Sequence, residues 1–308
     1  MYGKKLKKNY YDQGAKLFWL DVAEPEYSVY DFKNYRYQLG SVQEVGNIYP
    51  KYYLKAFYDG MTAEGDTMPI SLIRSAWAGS AKYGALVWSG DIVSTFECFR
   101  RQVQAGLNMA IAGIPWWTTD IGGFHGARTD DPDFHRLYIR WFEYGCFCPV
   151  MRLHGNRNPQ EGYGAEQIGS GSDNEIWSFG DKAYEISKKY IFLRERLRDY
   201  IRTQMKKAHE DGTPMMRPVF YDFPTDQESW NVEDAYLFGP DLYVAPVMED
   251  HVTEREVYLP DGTAWFNAWT GEKYEGGQNV TVAAPLDTIP VFVKEGADAE
   301  KLLNIFSE

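Results

Sequence analysis

The chain has 308 residues, of which 44% are hydrophobic and 25% charged, and its formal net charge is −12. That length and balance suit one large globular domain or two smaller ones. The acidic surplus excludes a phosphate-tracking surface, so nucleic acid is not an expected partner.

MYGKKLKKNYYDQG, at the start, is basic but lacks the apolar stretch of a secretory signal, and no run approaches 18 apolar residues. No membrane partner is expected, and the cytoplasm is the favoured location unless further sequence precedes this start. Up to about residue 210, short apolar runs alternate with amphipathic stretches, the pattern of βα units on a parallel sheet. The predicted strands are 16–21, 69–74, 86–88, 114–117 and 149–153. Between them, TFECFRRQVQAGLNMAIAG and FHRLYIRWFEYGCF repeat apolar residues at spacings of three and four. One long amphipathic helix is predicted from Asp181 to a stop at Gly212. From about Val232 the texture turns to short β-rich runs, among them AYLFGPDLYVAPVM, EREVYLP and IPVFVKEG, divided by Gly, Pro, Asp and Asn. This predicts an antiparallel β module over 232–308, following an α/β unit over 1–231. Five parallel strands are too few for a closed (β/α)₈ barrel.

Cys98, Cys146 and Cys148 cannot all pair within the chain, and their spacing lacks a second ligand pair for zinc. Reduced core thiols are expected, with no metal and no organic cofactor. Glu44, Glu97 and Glu143 read as solvated faces.

In each predicted unit the polar residues gather just past the strand: Asp21 and Glu24, Arg74, Trp88 and Asp91, Asp120, then Arg152 and His154. In parallel α/β sheets that rim is where active sites are built. Asp21 and Asp91 are separated by one intervening unit, and paired carboxylates beside aromatic rings point to glycoside chemistry. The aromatic content of 16% fits rings stacked on sugars as well as core packing. Taken singly, Asp21 also fits a helix N-cap ahead of Pro25, and Asp91 in WSGD a turn followed by a capping box at STFE. Arg74 also fits an ion-pair partner, and His154 a satisfied loop histidine. Asp120 precedes two glycines that permit close backbone approach, with Phe124 as an apolar wall.

The ordered segments FWLDVAEPE, RSAWAGSAKYGALVWSGD, GIPWWTTDIGGF and WFEYGCFCPVMRLHG resemble glycoside hydrolase family 31 over residues 17–296. The resemblance implies a partial (β/α)₈ TIM barrel, strands four to eight, followed by a β-sandwich-like domain. It implies a retaining α-glycosidase with Asp21 as nucleophile, Glu24 as its supporting carboxylate and Asp91 as acid/base, Asp21 being ionised and Asp91 protonated. Trp19, Arg74, Trp88, Asp120, Phe124 and His154 match positions that line the sugar pocket. Ala81 and Lys82 depart from the family's usual Gln-Arg pair. The wording is most similar to the α-xylosidase branch, which makes an oligosaccharide with terminal α-linked xylose the expected substrate; α-glucosidase and transglycosylase activities are the alternatives. The family's earlier barrel strands are not in this sequence. A separate N-terminal portion or a homo-oligomer is therefore an expected partner, and the chain alone is expected to be weakly active, or to serve only as a carbohydrate-binding or scaffold module.

Overall fold

The computed structural model describes residues 2–25, 28–163, 168–296 and 298–307, so Glu26 of FWLDVAEPE lies outside the described residues. The first sheet has four parallel strands, β1 (Phe18–Leu20), β2 (Ser71–Ile73), β3 (Ala85–Trp88) and β4 (Trp117–Thr118). They pair in chain order, Leu20 against Ile73, Ile73 against Val87 and Trp88 against Thr118. Every strand therefore delivers its C-terminal end to one rim. Helix α1 (Tyr49–Ala63) crosses between β1 and β2, and α2 (Phe96–Ile111) crosses between β3 and β4, while α3 (Pro132–Cys146) follows β4. The cap of α2 is Thr95, one residue later than the predicted box, and its Oγ1 accepts the Cys98 N–H at 3.1 Å. Asp131 caps α3 through the Asp133 N–H.

The predicted strand at 149–153 does not form. Pro149 has no N–H to give to a ladder, and the segment makes isolated contacts instead: Val150 N–H to Trp117 O at 3.2 Å and Ile121 N–H to Arg152 O at 3.4 Å. The single helix predicted from Asp181 is two, α4 (Gly180–Arg196) and α5 (Arg198–Glu210), joined at the buried Leu197. Leu197 N–H still reaches Leu193 O at 3.0 Å, and Ile201 N–H reaches Leu197 O at 2.9 Å. The apolar period thus runs unbroken through the joint, which is why the pattern reads as one helix.

The β-rich part is a two-layer module. Its larger sheet takes its edge from β5 (Met216–Arg217) and continues with β6 (Tyr236–Phe238), β7 (Leu242–Val244), β9 (Ala264–Asn267), β10 (Lys273–Glu275) and β12 (Val291–Lys294), in the order β10-β9-β12-β7-β6-β5. A separate ribbon pairs β8 (Glu254–Leu259) with β11 (Gln278–Ala283). A second core made of Leu237, Tyr243, Val257, Leu259, Trp265 and Phe292 belongs to this module. Neither β10 nor the last helix, Ala299–Ser307, is among the predicted elements.

A buried polar latch joins the two parts. Glu143, expected on a solvated face, is fully buried, whereas Glu44 and Glu97 are exposed. Arg140 Nη1 donates to Glu143 at 3.2 Å and the Tyr190 hydroxyl donates at 3.1 Å. Arg140 also donates to the main-chain oxygens of Val252, Ala284, Pro285 and Thr288, all in the β-rich part. Helix α3 is buried on nearly every side, so Arg140 and Glu143 enter the interior together with satisfied hydrogen bonds. Burial pushes the Glu143 carboxyl up to about 8, with Arg140 and Tyr190 opposing the rise. Cys146 and Cys148 are buried free thiols, pushed up to about 12 by desolvation.

Arg140→Ala leaves Glu143 uncompensated and is expected to cost about 3–5 kcal/mol in urea unfolding. The double change Arg140→Ala with Glu143→Gln is expected to recover part of that loss. Additive losses would show that the two side chains do not act as a pair.

Candidate active site

Each candidate residue leaves the first sheet at the same rim. Trp19 lies in β1 and Asp21 one residue past it; Arg74 is one past β2; Trp88 ends β3 and Asp91 follows three residues on; Asp120 is two past β4. Asp21 is not a helix cap, since the next helix opens at Val29 on Ser28. Its Oδ1 accepts its neighbour's N–H, that of Val22, at 2.8 Å. Val22 has φ +52°, in the left-handed region. A β-branched side chain there stores about 1–3 kcal/mol of strain, and such residues cluster where a site fixes its backbone.

Arg74 gathers the carboxylates. Its Nη2 makes a close ion pair with Glu24, and its Nη1 lies 3.3 Å from Asp21 Oδ1 and 3.7 Å from Asp91 Oδ2. The two contacts to Nη1 cap the separation of those oxygens at about 7 Å. The cap is compatible with the retaining spacing of about 5–5.5 Å between carboxyl groups. The Arg74 side chain is 12% exposed, against 52% for Asp21 and 45% for Asp91, so both aspartates reach solvent over a covered cation.

Aromatic rings wall the cluster. Trp19 meets Trp88 edge-on at 5.5 Å and His154 at 4.7 Å, and Phe124 stacks on His154 at 5.3 Å and 26°. Arg152 closes the group: it pairs with Asp120, and its guanidinium lies 5.2 Å from the Trp19 ring and 5.8 Å from the Trp88 ring. All the predicted site residues therefore come together at one rim. Burial pushes the Asp120 carboxyl up to about 7, opposed by Arg152. Burial first, and then the charges of Arg152 and Arg157, hold the His154 imidazole below its ordinary value. Among the described residues, the buried polar atoms here without a hydrogen-bond partner include Glu24 Oε2, Trp88 Nε1, Ser89 Oγ, Asp120 Oδ2 and Arg152 Nε. Such a mixed set of donors and acceptors matches a ligand rich in hydroxyls. Among the described residues no group of His, Cys, Asp and Glu is placed to hold a metal ion. Beside the cluster, a cleft of about 740 Å³ runs from Asp21 and Val22 along Tyr49, Tyr53, Phe57 and Met61.

Arg157 has no role in the sequence reading. Its signal is the glycines around it, Gly122 and Gly155, whose spacing in the chain reveals nothing until the loops are folded.

A carboxylate cluster and an aromatic cage on the C-terminal rim of a parallel α/β sheet, with a β-domain following, have the layout of barrel enzymes that act on sugars. The chain belongs to glycoside hydrolase family 31. Residues 1–204 match the TIM-barrel domain of that family and residues 212–297 its C-terminal domain. An α-xylosidase of Saccharolobus solfataricus is 37% identical over 94% of this chain and 38% of its own length. An α-glucosidase 2 of Bacillus thermoamyloliquefaciens is 33% identical over 94% of this chain and 35% of its own. The crystal structure of a family 31 α-xylosidase from a soil metagenome, complexed with xylose, superposes with a TM-score of 0.94 at 56% identity, covering 98% of this chain and 46% of that one. This chain thus spans less than half the length of the relatives it matches.

His154 is expected to titrate below 6.5 in an imidazole NMR titration, and Arg152→Gln is expected to move its midpoint upward. A wild-type midpoint at or above 6.5 would contradict the buried environment described here.

Proposed function

We propose that this chain carries the nucleophile and the acid/base of a retaining α-glycosidase that removes terminal α-linked xylose from oligosaccharides. The observation that carries the reading is Arg74, one guanidinium holding Asp21, Glu24 and Asp91 together at an aromatic rim. Asp21 attacks the anomeric carbon while the bond to the departing oxygen breaks and Asp91 gives that oxygen its proton. The product of this step is a xylosyl ester on Asp21. Asp91 then takes a proton from water, the water oxygen bonds to the anomeric carbon, and the ester bond breaks to restore the Asp21 carboxylate. Arg74 holds the Asp21 charge in place between turnovers, and the unpartnered polar atoms of Trp88, Asp120 and Arg152 bind sugar hydroxyls. Similarity to α-xylosidases supports xylose over glucose, and an α-glucosidase is the second reading, favoured by the equally extensive α-glucosidase relative.

We also propose that the site is completed by a further polypeptide seated against β1. On its outer side β1 has no strand partner among the described residues, and the adjoining cleft is lined by Tyr53, Phe57 and Met61. An unpaired parallel edge beside apolar surface calls for a strand and its covering side chains.

With p-nitrophenyl α-xyloside as substrate, Asp21→Ala is expected to lower kcat/KM by more than about 10⁴-fold and Asp91→Ala by about 10²–10⁴-fold. A 5-fluoro-α-xylosyl fluoride is expected to label Asp21, read as a mass shift on its peptide. Unchanged turnover in either variant would end the role assignments.

Supplying the polypeptide encoded immediately upstream in the same reading frame is expected to raise kcat/KM of the chain at least about 10²-fold. No gain on supplying it, or full turnover without it, would remove the completion proposal.

A further inference from the structure

Arg157 is a fully buried arginine next to the site whose hydrogen bonds, among the described residues, all go to uncharged oxygens. Its Nη1 donates to Gly123 O at 2.7 Å and to Ser94 Oγ at 3.4 Å, its Nη2 to Ile121 O at 3.1 Å and its Nε to Asn174 Oδ1 at 2.8 Å. The Phe134 ring lies 4.7 Å from the guanidinium carbon. Two glycines make the slot. A Cβ on Gly155 would stand 2.5 Å from Arg157 Cζ, and a Cβ on Gly122 would stand 3.1 Å from Nη2. Desolvating a cation costs several kcal/mol, and carbonyl partners recover less of that than a carboxylate would. A cation kept in such a slot points to a task that its geometry performs.

Besides the segment of Asn174, it ties two pieces of chain to its own, and all three of these carry site residues. Ser94 lies on the loop that leaves Asp91. Ile121 and Gly123 form the turn between Asp120 and Phe124. Arg157 itself lies three residues past His154. The same pieces are stitched by main-chain bonds, Ser94 N–H to His125 O at 2.8 Å, Phe124 N–H to Ile92 O at 2.7 Å and Asn156 N–H to Phe124 O at 2.8 Å. The guanidinium fills the space between them. We infer that Arg157 is a positioning residue, a buried planar fork that fixes the Asp91 loop, the Asp120–Phe124 turn and the His154 segment in one register without touching the sugar. Its fork is what matters: a lysine keeps the charge but cannot reach four divergent acceptors. A local positive charge also lies on the Asp120 and His154 side of the site.

The kinetic arm of the test rests on the glycosidase reading and the spectroscopic arm does not. In the 308-residue chain, the His154 ε1 resonance reports its stack on Phe124. Arg157→Lys and Arg157→Met are expected to shift that resonance toward a solvent-exposed value while His209 and His251, away from the site, stay put. In whichever form hydrolyses p-nitrophenyl α-xyloside, both variants are expected to lower kcat about 10²-fold with KM changing about threefold or less. Gly155→Ala, whose backbone tolerates alanine, displaces the guanidinium without removing it; it is expected to give the same resonance shift and decides the case if the arginine variants do not fold. An unmoved His154 resonance, or restoration of kcat by Arg157→Lys to within about twofold of wild type, overturns the inference. A wild-type protein without turnover overturns the glycosidase reading alone, and the resonance then decides the role of Arg157.

Discussion

Three carboxylates cannot share one rim unless something holds their charge. Two like charges about 5 Å apart repel by about 3 kcal/mol at an effective dielectric near 20. Arg74 removes that obstacle. It stands one residue past β2, between the rims of β1 and β3, so the parallel register of the sheet alone brings it between Asp21 with Glu24 on one side and Asp91 on the other. Its own burial makes the arrangement directional. The covered guanidinium attracts the two aspartates while both remain about half exposed to solvent.

The aromatic cage depends on the same register. Trp19 and Trp88 come from β1 and β3, the strands that flank Arg74, and they meet edge-on. Arg152 lies against both indole rings while it pairs with Asp120. Charge and aromatic surface are therefore interleaved, Arg74 gathering three carboxyl groups while Arg152 pairs with one and covers two rings. The unpartnered buried atoms among them are the other side of this economy. A group kept dry with no partner is a cost in the free protein that a bound hydroxyl relieves.

Much of this was legible in the sequence because a parallel sheet converts position along a strand into position in space. A run such as FWLD names both the strand and the rim residue, and the same holds for LIR and LVWSGD. What was hidden had a common cause in contacts between distant segments. The segment at 149–153 reads as a strand from composition, yet its place beside β4 is set by Pro149 and by the turn at Ile121. Glu143 reads as solvated because helical periodicity assumes one outward face, and α3 has none. Arg157 looks like a surface residue beside Asn and Pro until two glycines from separate loops close around it.

The β-rich part matters to the rim through a sequence of firm contacts. Arg140 fastens α3 to the loop at 284–289, Glu143 joins Arg140 to Tyr190, and Tyr190 fastens α4 to the same loop, accepting from Ile289 N–H at 3.0 Å. One turn further along α4, Arg194 donates to the main-chain oxygens of Cys146, Cys148 and Pro149 at 2.6, 2.8 and 2.9 Å. Those carbonyls begin the segment that carries Arg152 and His154 to the site. This segment has no strand ladder of its own, so its path is fixed by α4 at one end and by Arg157 at the other. A cation at each end substitutes for the β-bonds that Pro149 rules out, and the β-rich part, by clamping α3 and α4, holds the first of those cations still.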